Sequence, residues 1–354
     1  LYAHLIRESI IINVCKIIAC GTAKLGFHKF TCSQCNQTKT VYHTCKSRFC
    51  SSCGKKATDI WIQKSSNNLP KIPYQHITFT LPEQLRRFFW VNRHLMNHIV
   101  PIPAAIVTKI AAYKQLIPGV FTVIHTFGRD LKQNVHFHLT TTSGGASFDY
   151  QKWIPDFYIK HDTIKRMWKT EVIQTLRDLF KQGKLQLPPE LKHLSNYTEF
   201  NSWLNMLYQI SWVVHLQKKQ SSHKHNVEYV GRYLKRPPLA ETRITHYDGK
   251  TVSFFYLDHY DKQRTLVTIP VADFIARLIR HIPDSNFRLI RYYNWLSNRT
   301  RSKFLPIIYQ LVQHNLKQLS KLNWRSLLQN TFGIDPLQCS NCGMLSLIHI
   351  SEPT

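Results

Sequence analysis

Acidic side chains are scarce: Asp and Glu number 20 in 354 residues against 47 Lys and Arg, a formal charge of +27 with histidine neutral. An imbalance of that size argues against an enzyme of small neutral metabolites and for a polyanionic partner, with nucleic acid foremost. No run of eighteen apolar residues occurs, which argues against a membrane span. The apolar stretch 10–19 is flanked or broken by Arg7, Glu8 and Lys16, and no small-residue cleavage site follows, so it does not read as a secretory signal. Internal repeats and low-complexity tracts are lacking too. With 43% hydrophobic and 12% aromatic residues, the chain is too apolar for a disordered basic tail. Its length predicts two or three domains, and its first residue, Leu1, is what a fragment would show.

Cysteine is plentiful, at nine residues, and without an export signal these read as reduced thiols and metal ligands rather than disulfides. Cys32-x2-Cys35 and Cys50-x2-Cys53 are separated by fourteen residues. Each pair can present two thiolates from a tight turn, and four thiolates suit tetrahedral Zn²⁺, so these four are expected to share one ion. Cys20, His28, His43 and Cys45 are left over in the same segment, as ligands of a second zinc or as packed side chains. Cys339-x2-Cys342 is half a site: either its partner lies past Thr354, or it binds nothing.

Beyond the cysteines the pattern is α+β. Residues 76–81, 119–127 and 134–141 read as strands, the last two joined by the polar turn 128–133 as a hairpin. Residues 84–116, 200–219, 227–234, 271–281 and 302–329 read as helical, and 251–270 as a second hairpin. His136-Phe137-His138 lies in an extended stretch, where alternation sends Phe137 to the core and both imidazoles to one face, about 7 Å apart at the backbone. Two such rings can converge on one divalent cation. Tyr229 and Tyr233, at i and i+4 of a helix, share a face roughly 6 Å apart along the axis. Lys218, Lys219, Lys224, Arg232, Lys235 and Arg236 surround them, and of these Lys224, Arg232, Lys235 and Arg236 are the candidate DNA-contacting residues. A phenol is a poor nucleophile at its free pKa of ~10. A metal that polarises a phosphate, with cations favouring phenolate, makes its attack on phosphorus feasible. The run Arg291, Tyr292, Tyr293 and Trp295 reads either as a single-strand channel with stacking rings or as an ordinary amphipathic element.

These elements resemble the HUH endonuclease superfamily in its two-tyrosine class, and more closely the IS-ninety-one family of rolling-circle insertion-sequence transposases. The resemblance rests on CGTAKLGFHKFTCSQC, YHTCKSRFCSSC, NLPKIPYQHITFTLP, HTFGRDLKQNVHFHL, EYVGRYLKRPP and FIARLIRHIP, in order through most of residues 20–300. It implies a divalent catalytic ion, Mg²⁺ or Mn²⁺, on His136 and His138. It further implies Tyr229 and Tyr233 as nucleophiles, and structural Zn²⁺ in the N-terminal region, where Cys20 and His28 also match family positions. The implied core is a ferredoxin-like antiparallel sheet with flanking helices and a central histidine strand, behind a small cysteine-rich module. A third ligand for the catalytic ion is expected; His125 on the pairing strand is the first candidate, with Gln75 and His76 as alternatives. The expected layout is a zinc module over 1–60, a catalytic domain over 61–300 and a helical segment over 301–354. The expected partner is single-stranded DNA at transposon ends and target, in the bacterial cytoplasm, with no membrane. Ser52 stands where the family has Pro, and LSLIHISEPT after Met344 departs from a family C-terminus. A plasmid or phage replication initiator and a non-catalytic zinc DNA-binding protein are the competing readings.

Overall fold

The computed structural model describes residues 6–218, 227, 231, 237–258, 263–314, 324–344 and 347–351. The N-terminal module begins with helix α1 (Glu8–Ile18), followed by the hairpin β1 (Phe27–Cys32) and β2 (Thr38–Tyr42). Helix α2 (Ser51–Asn68) starts at Cys50 and leads out of the module.

The main sheet is then laid down in a fixed order. Strand β3 (Tyr74–Thr80) is followed by α3 (Glu83–Val91), α4 (Met96–Ile99) and α5 (Ile102–Ala112). Strands β4 (Leu116–Phe127) and β5 (Gln133–Ser147) form a long hairpin, with the two-residue β6 (Trp153–Ile154) against the end of β5. Helices α6 (His161–Lys181) and α7 (Tyr197–Gln209) lead to β7 (Val214–Leu216). A three-stranded satellite sheet of β8 (Ile244–Tyr247), β9 (Thr251–Leu257) and β10 (Arg264–Pro270) comes next, and then α8 (Val271–Arg280). Strand β11 (Ile290–Tyr293), α9 (Arg301–Leu311), α10 (Trp324–Phe332) and β12 (Leu347–Ser351) complete the described elements.

The main sheet runs β11-β4-β5-β3-β7, with every neighbouring pair antiparallel. Taken without β11, this is the ferredoxin-like order, with two helical crossovers on one face and β5 in the interior. Local chemistry explains the long hairpin. β4 is rich in β-branched and aromatic residues, and its Pro118 cannot donate to the ladder, so the register shifts between Pro118 and Val120. Gly119 is required there because an added Cβ would lie 2.4 Å from the Trp295 ring.

Alternation along the strands divides the core. Ile77, Phe79, Val120, Ile124, Phe137 and Leu139 face one cluster beneath α3, α5, α6 and α7. Helix α6 supplies Ile164, Trp168, Val172 and Leu176, a stripe at helical spacing. Tyr74, Phe121 and Val123 face the opposite cluster, together with Trp61 and Ile62 of α2, Val227, Trp295 and Ile308. The apolar stretch Arg93–Ala112 is long enough to cross a membrane, yet 56% of it is buried inside the protein, and it serves as part of the first core.

One expected helix is shorter than its pattern. Residues 200–219 were expected to be helical throughout, but α7 ends at Gln209 and Val214–Leu216 pair with Ile77–Phe79 as the sheet edge. Trp212 explains the break: its ring is buried and its Nε1 donates to Leu207 O at 2.8 Å, turning the chain back toward β3. The run Arg291–Tyr293 is extended and also lines an open cleft. It lies in the edge strand β11, where Tyr292 and the buried Trp295 pack into the second cluster, and Trp295 donates to Ile117 O at 3.0 Å.

Candidate active site and metal centres

Cross-strand register brings three histidines together. His125 of β4 lies opposite His136 of β5, and His138 follows two residues along on the same face. Their ligand atoms all lie within 4.8 Å of one another, with His125 and His138 buried and His136 half-buried. Ring centroids are 5.4 Å apart for His125–His136, 4.8 Å for His125–His138 and 4.9 Å for His136–His138. Phe137, between the last two, is fully buried in the opposite core.

The protonation chemistry suits ligation. Burial lowers His136 to about 4, its Nδ1–H donation to Asn134 O acts in the opposite sense, and the nearby Arg86 lowers it further. Because that bond of 2.8 Å occupies Nδ1, Nε2 carries the lone pair. Burial, with His125, His136 and His76 around it, holds His138 well below the ordinary value for histidine. Neutral imidazoles at neutral pH are what a divalent cation requires. His76 of β3 stands behind them, its Nε2 3.0 Å from His138 Nδ1. It therefore orients a member of the trio rather than joining it. Gln75 is turned elsewhere, with its Nε2 donating to Gln217 O at 3.2 Å. The donor set is wholly imidazole, which fits a transition ion better than Mg²⁺, a cation that prefers oxygen ligands.

Tyr229 and Tyr233 lie outside the described residues, as do Lys219, Lys224, Arg232, Lys235 and Arg236. Val227 and Gly231 are described: both are helical and buried. Val227 belongs to the apolar cluster of Phe121 and Val123, which share the histidine face of β4. A Cβ on Gly231 would lie 2.3 Å from Ile62 Cγ1, so only glycine allows this close approach to α2.

Of two basic clefts, the first was not anticipated from the sequence, whereas the second has in its wall Arg291, Tyr292 and Tyr293, for which a single-strand channel was one of the two readings. The first, of about 900 Å³, has Arg7, Arg87, Arg93 and Arg280 in its wall and reaches Gln133, at the start of the histidine strand. The second, of about 930 Å³, shares Arg93, His94 and Asp284 with the first and adds Arg288, Arg291 and Arg299. Burial, with Arg7 alongside, lowers Arg93 to about 9, and Asp284 pairs with both Arg7 and Arg93. Nearer the histidines, Arg86 has a buried Nε with no hydrogen-bond partner among the described residues. These arginines are scattered through the sequence, so no run of charge announces them.

The thiols are grouped differently from the expectation. Cys32, Cys35, Cys50 and Cys53 do not share a centre; Cys50 and Cys53 join Cys20 and Cys45, while Cys32 and Cys35 join Cys339 and Cys342. The β1–β2 hairpin is the reason. Cys32 sits at its tip, whereas the chain re-emerges at Tyr42 opposite Phe27, five residues or roughly 17 Å away along the strand, before reaching Cys45. His28 belongs to neither group and packs on His43 with ring centroids 4.6 Å apart. In the first group Cys20–Cys53, Cys45–Cys53 and Cys20–Cys50 are each 3.7 Å apart at sulfur.

Comparison with known proteins places this architecture. A family model described as "Putative transposase" matches residues 119–303, and one described as "Transposase zinc-binding domain" matches residues 2–81. The chain is 35% identical to the transposase for insertion sequence element IS801 of Pseudomonas savastanoi pv. phaseolicola, over 97% of this chain and 85% of that protein. It belongs to the IS-ninety-one family of transposases. A second relative, "Putative transposase y4qJ" of Sinorhizobium fredii (strain NBRC 101917 / NGR234), is 28% identical over 94% of this chain and 86% of its own length. No solved structure matches. The transposase model covers the histidine hairpin and residues 227–236; the zinc-binding model runs from α1 to the end of β3.

Proposed function

We propose that this transposase nicks and rejoins single-stranded DNA at element ends through a 5′-phosphotyrosine, with His125, His136 and His138 holding a divalent ion. The reading is carried by the imidazole trio lying on the sheet face whose apolar continuation is covered by Val227, two residues before Tyr229. When bound, the ion would supply Lewis-acid polarisation of the scissile phosphate.

The remaining chemistry belongs to the chain. The phenolic oxygen of Tyr229 or Tyr233 loses its proton and attacks phosphorus in line. A tyrosyl–phosphate bond forms as the bond to the 3′ oxygen breaks, and that oxygen takes up a proton to leave as a 3′-hydroxyl. Phosphodiester energy is kept in the new ester, so attack by another 3′-hydroxyl reverses the step without external energy. The second tyrosine can cut another strand while the first holds its intermediate. Arg86 would lie beside the phosphate and stabilise charge as it develops, with the arginine clefts carrying the flanking strand.

Labelled oligonucleotides of an element end, single-stranded and duplex, incubated with Mn²⁺ test this directly. A denaturation-resistant adduct should form on the single strand and vanish in the double variant Tyr229→Phe, Tyr233→Phe. His136→Ala with His138→Ala should abolish cleavage while leaving oligonucleotide binding. Equal adduct from wild type and the tyrosine double variant would leave only a DNA-binding zinc protein.

A further inference from the structure

We propose that Cys32, Cys35, Cys339 and Cys342 form a structural Zn²⁺ site that joins the β1–β2 hairpin to the distant segment 339–342. The region matched as zinc-binding ends at residue 81, so it contains only half of this site. The ligands are separated by more than 300 residues: Cys32 Sγ is 3.6 Å from Cys342 Sγ, and Cys35 Sγ is 3.6 Å from Cys339 Sγ. Four sulfurs about 2.3 Å from a tetrahedral ion have edges of about 3.8 Å, so this spacing needs little adjustment.

The two turns are built alike. At the first, Cys32 N donates to Gln37 O at 2.9 Å and Asn36 N to Cys32 O at 2.9 Å; at the second, Cys339 N donates to Met344 O at 2.9 Å and Gly343 N to Cys339 O at 3.0 Å. Asn36 and Gly343, the fourth residue after each leading cysteine, both have positive φ, at 56° and 71°. Each CxxC is therefore a knuckle with the same backbone bonds, and the two face each other as halves of one ribbon. Thiolates select Zn²⁺ over Mg²⁺ or Mn²⁺, and the four thiols would release their protons on binding it.

Packing around the site extends the clamp to α2. Lys39 Nζ, on the hairpin beside the first knuckle, donates to Pro336 O at 3.2 Å. Arg325 pairs with Asp335 at 2.7 Å and shapes the approach to the second knuckle, while Lys55 of α2 stands over the Phe332 ring at 5.4 Å. Helix α2 also carries Ile62, against which Gly231 lies. Joining these two segments therefore bears on α2, the helix against which Gly231 lies.

Zinc content of the full chain by native mass spectrometry tests the site. Cys339→Ser with Cys342→Ser should remove one zinc equivalent per chain, Cys32→Ser with Cys35→Ser one as well, and the four together still only one. Unchanged zinc in the Cys339/Cys342 variant would overturn the proposal. Should those variants not fold, thiol alkylation of the wild type mapped residue by residue provides the second readout. Exposed Cys15, which belongs to neither group, is the internal reference. The proposal requires Cys339 and Cys342 to be protected and, on adding chelator, released together with Cys32 and Cys35. Alkylation of exposed Cys342 and buried Cys339 at the Cys15 rate, while Cys32 and Cys35 stay protected, would refute it.

Discussion

At the scale of single residues, the catalytic claim is about nitrogen lone pairs and one guanidinium. Period-two alternation made His136 and His138 legible as a pair on one face, opposite Phe137. His125 was legible only through strand pairing, and His76, behind His138, needed the third strand in register. Arg86 carried no signal in sequence, since one arginine in an amphipathic helix looks like any other. Removing one donor to developing phosphate charge typically costs about 10²–10³ in rate. Arg86→Ala should thus slow adduct formation by about that factor and weaken oligonucleotide binding far less; single-turnover nicking compared with binding measures both.

A second residue-scale expectation concerns His281, which is not one of the three ligating histidines. Its Nδ1 lies 3.0 Å from Thr126 Oγ1, its Nε2 lies 3.0 Å from Leu131 O, and burial lowers it to about 4. The unfolded chain therefore takes up this proton near pH 6.5 while the folded chain does not until about pH 4. Stability from this group is complete above pH 6.5 and is lost as the pH falls toward 4, at about 1.4 kcal/mol per pH unit. Denaturant unfolding between pH 7 and 4.5 should show a slope steeper than this, since His136 and His138 are held low as well, and His281→Gln should reduce it by about one such increment. An unaltered slope would mean that the imidazole is not held neutral.

At the scale of elements, the long β4–β5 hairpin and α8 followed from local pattern because their residues agree with their burial. Helix α7 did not, since Val214 fits a helical stripe and an edge strand equally well and only pairing with β3 decides. The pairing of the cysteine knuckles was illegible for a related reason. CxxC spacing specifies a turn, not which other turn it meets, and here that is set by hairpin length and by the return of the C-terminal segment. The contact between residue 231 and α2 makes an element-scale test. Gly231→Ala forces its methyl into Ile62, an overpacking that typically costs about 1–3 kcal/mol. Both stability and nicking should fall, and Ile62→Ala in the same chain should recover a large part of each. Failure of the second substitution to help would separate residue 231 from α2.

At the scale of the whole molecule, the excess of 47 basic over 20 acidic residues resolves into a localised feature, the clefts that meet at Arg93. Composition announced the polyanion but not its path. If the strand runs there, log K for a single-stranded oligonucleotide falls with log salt by about 0.7 per phosphate neutralised. Arg280→Ala with Arg288→Ala should therefore reduce the magnitude of that slope by about 1.4 in a salt titration, whereas an unchanged slope would move the strand elsewhere.

The proposed reaction makes one covalent bond, and mass-spectrometric mapping of the protein–oligonucleotide adduct after digestion reads it. The peptide bearing Tyr229 and Tyr233 should carry a 5′-phosphorylated nucleotide on a tyrosine, and this modification should be absent when His136 and His138 are both alanine. A nucleotide attached to any other residue, or an adduct undiminished without the two imidazoles, would contradict cleavage by this site.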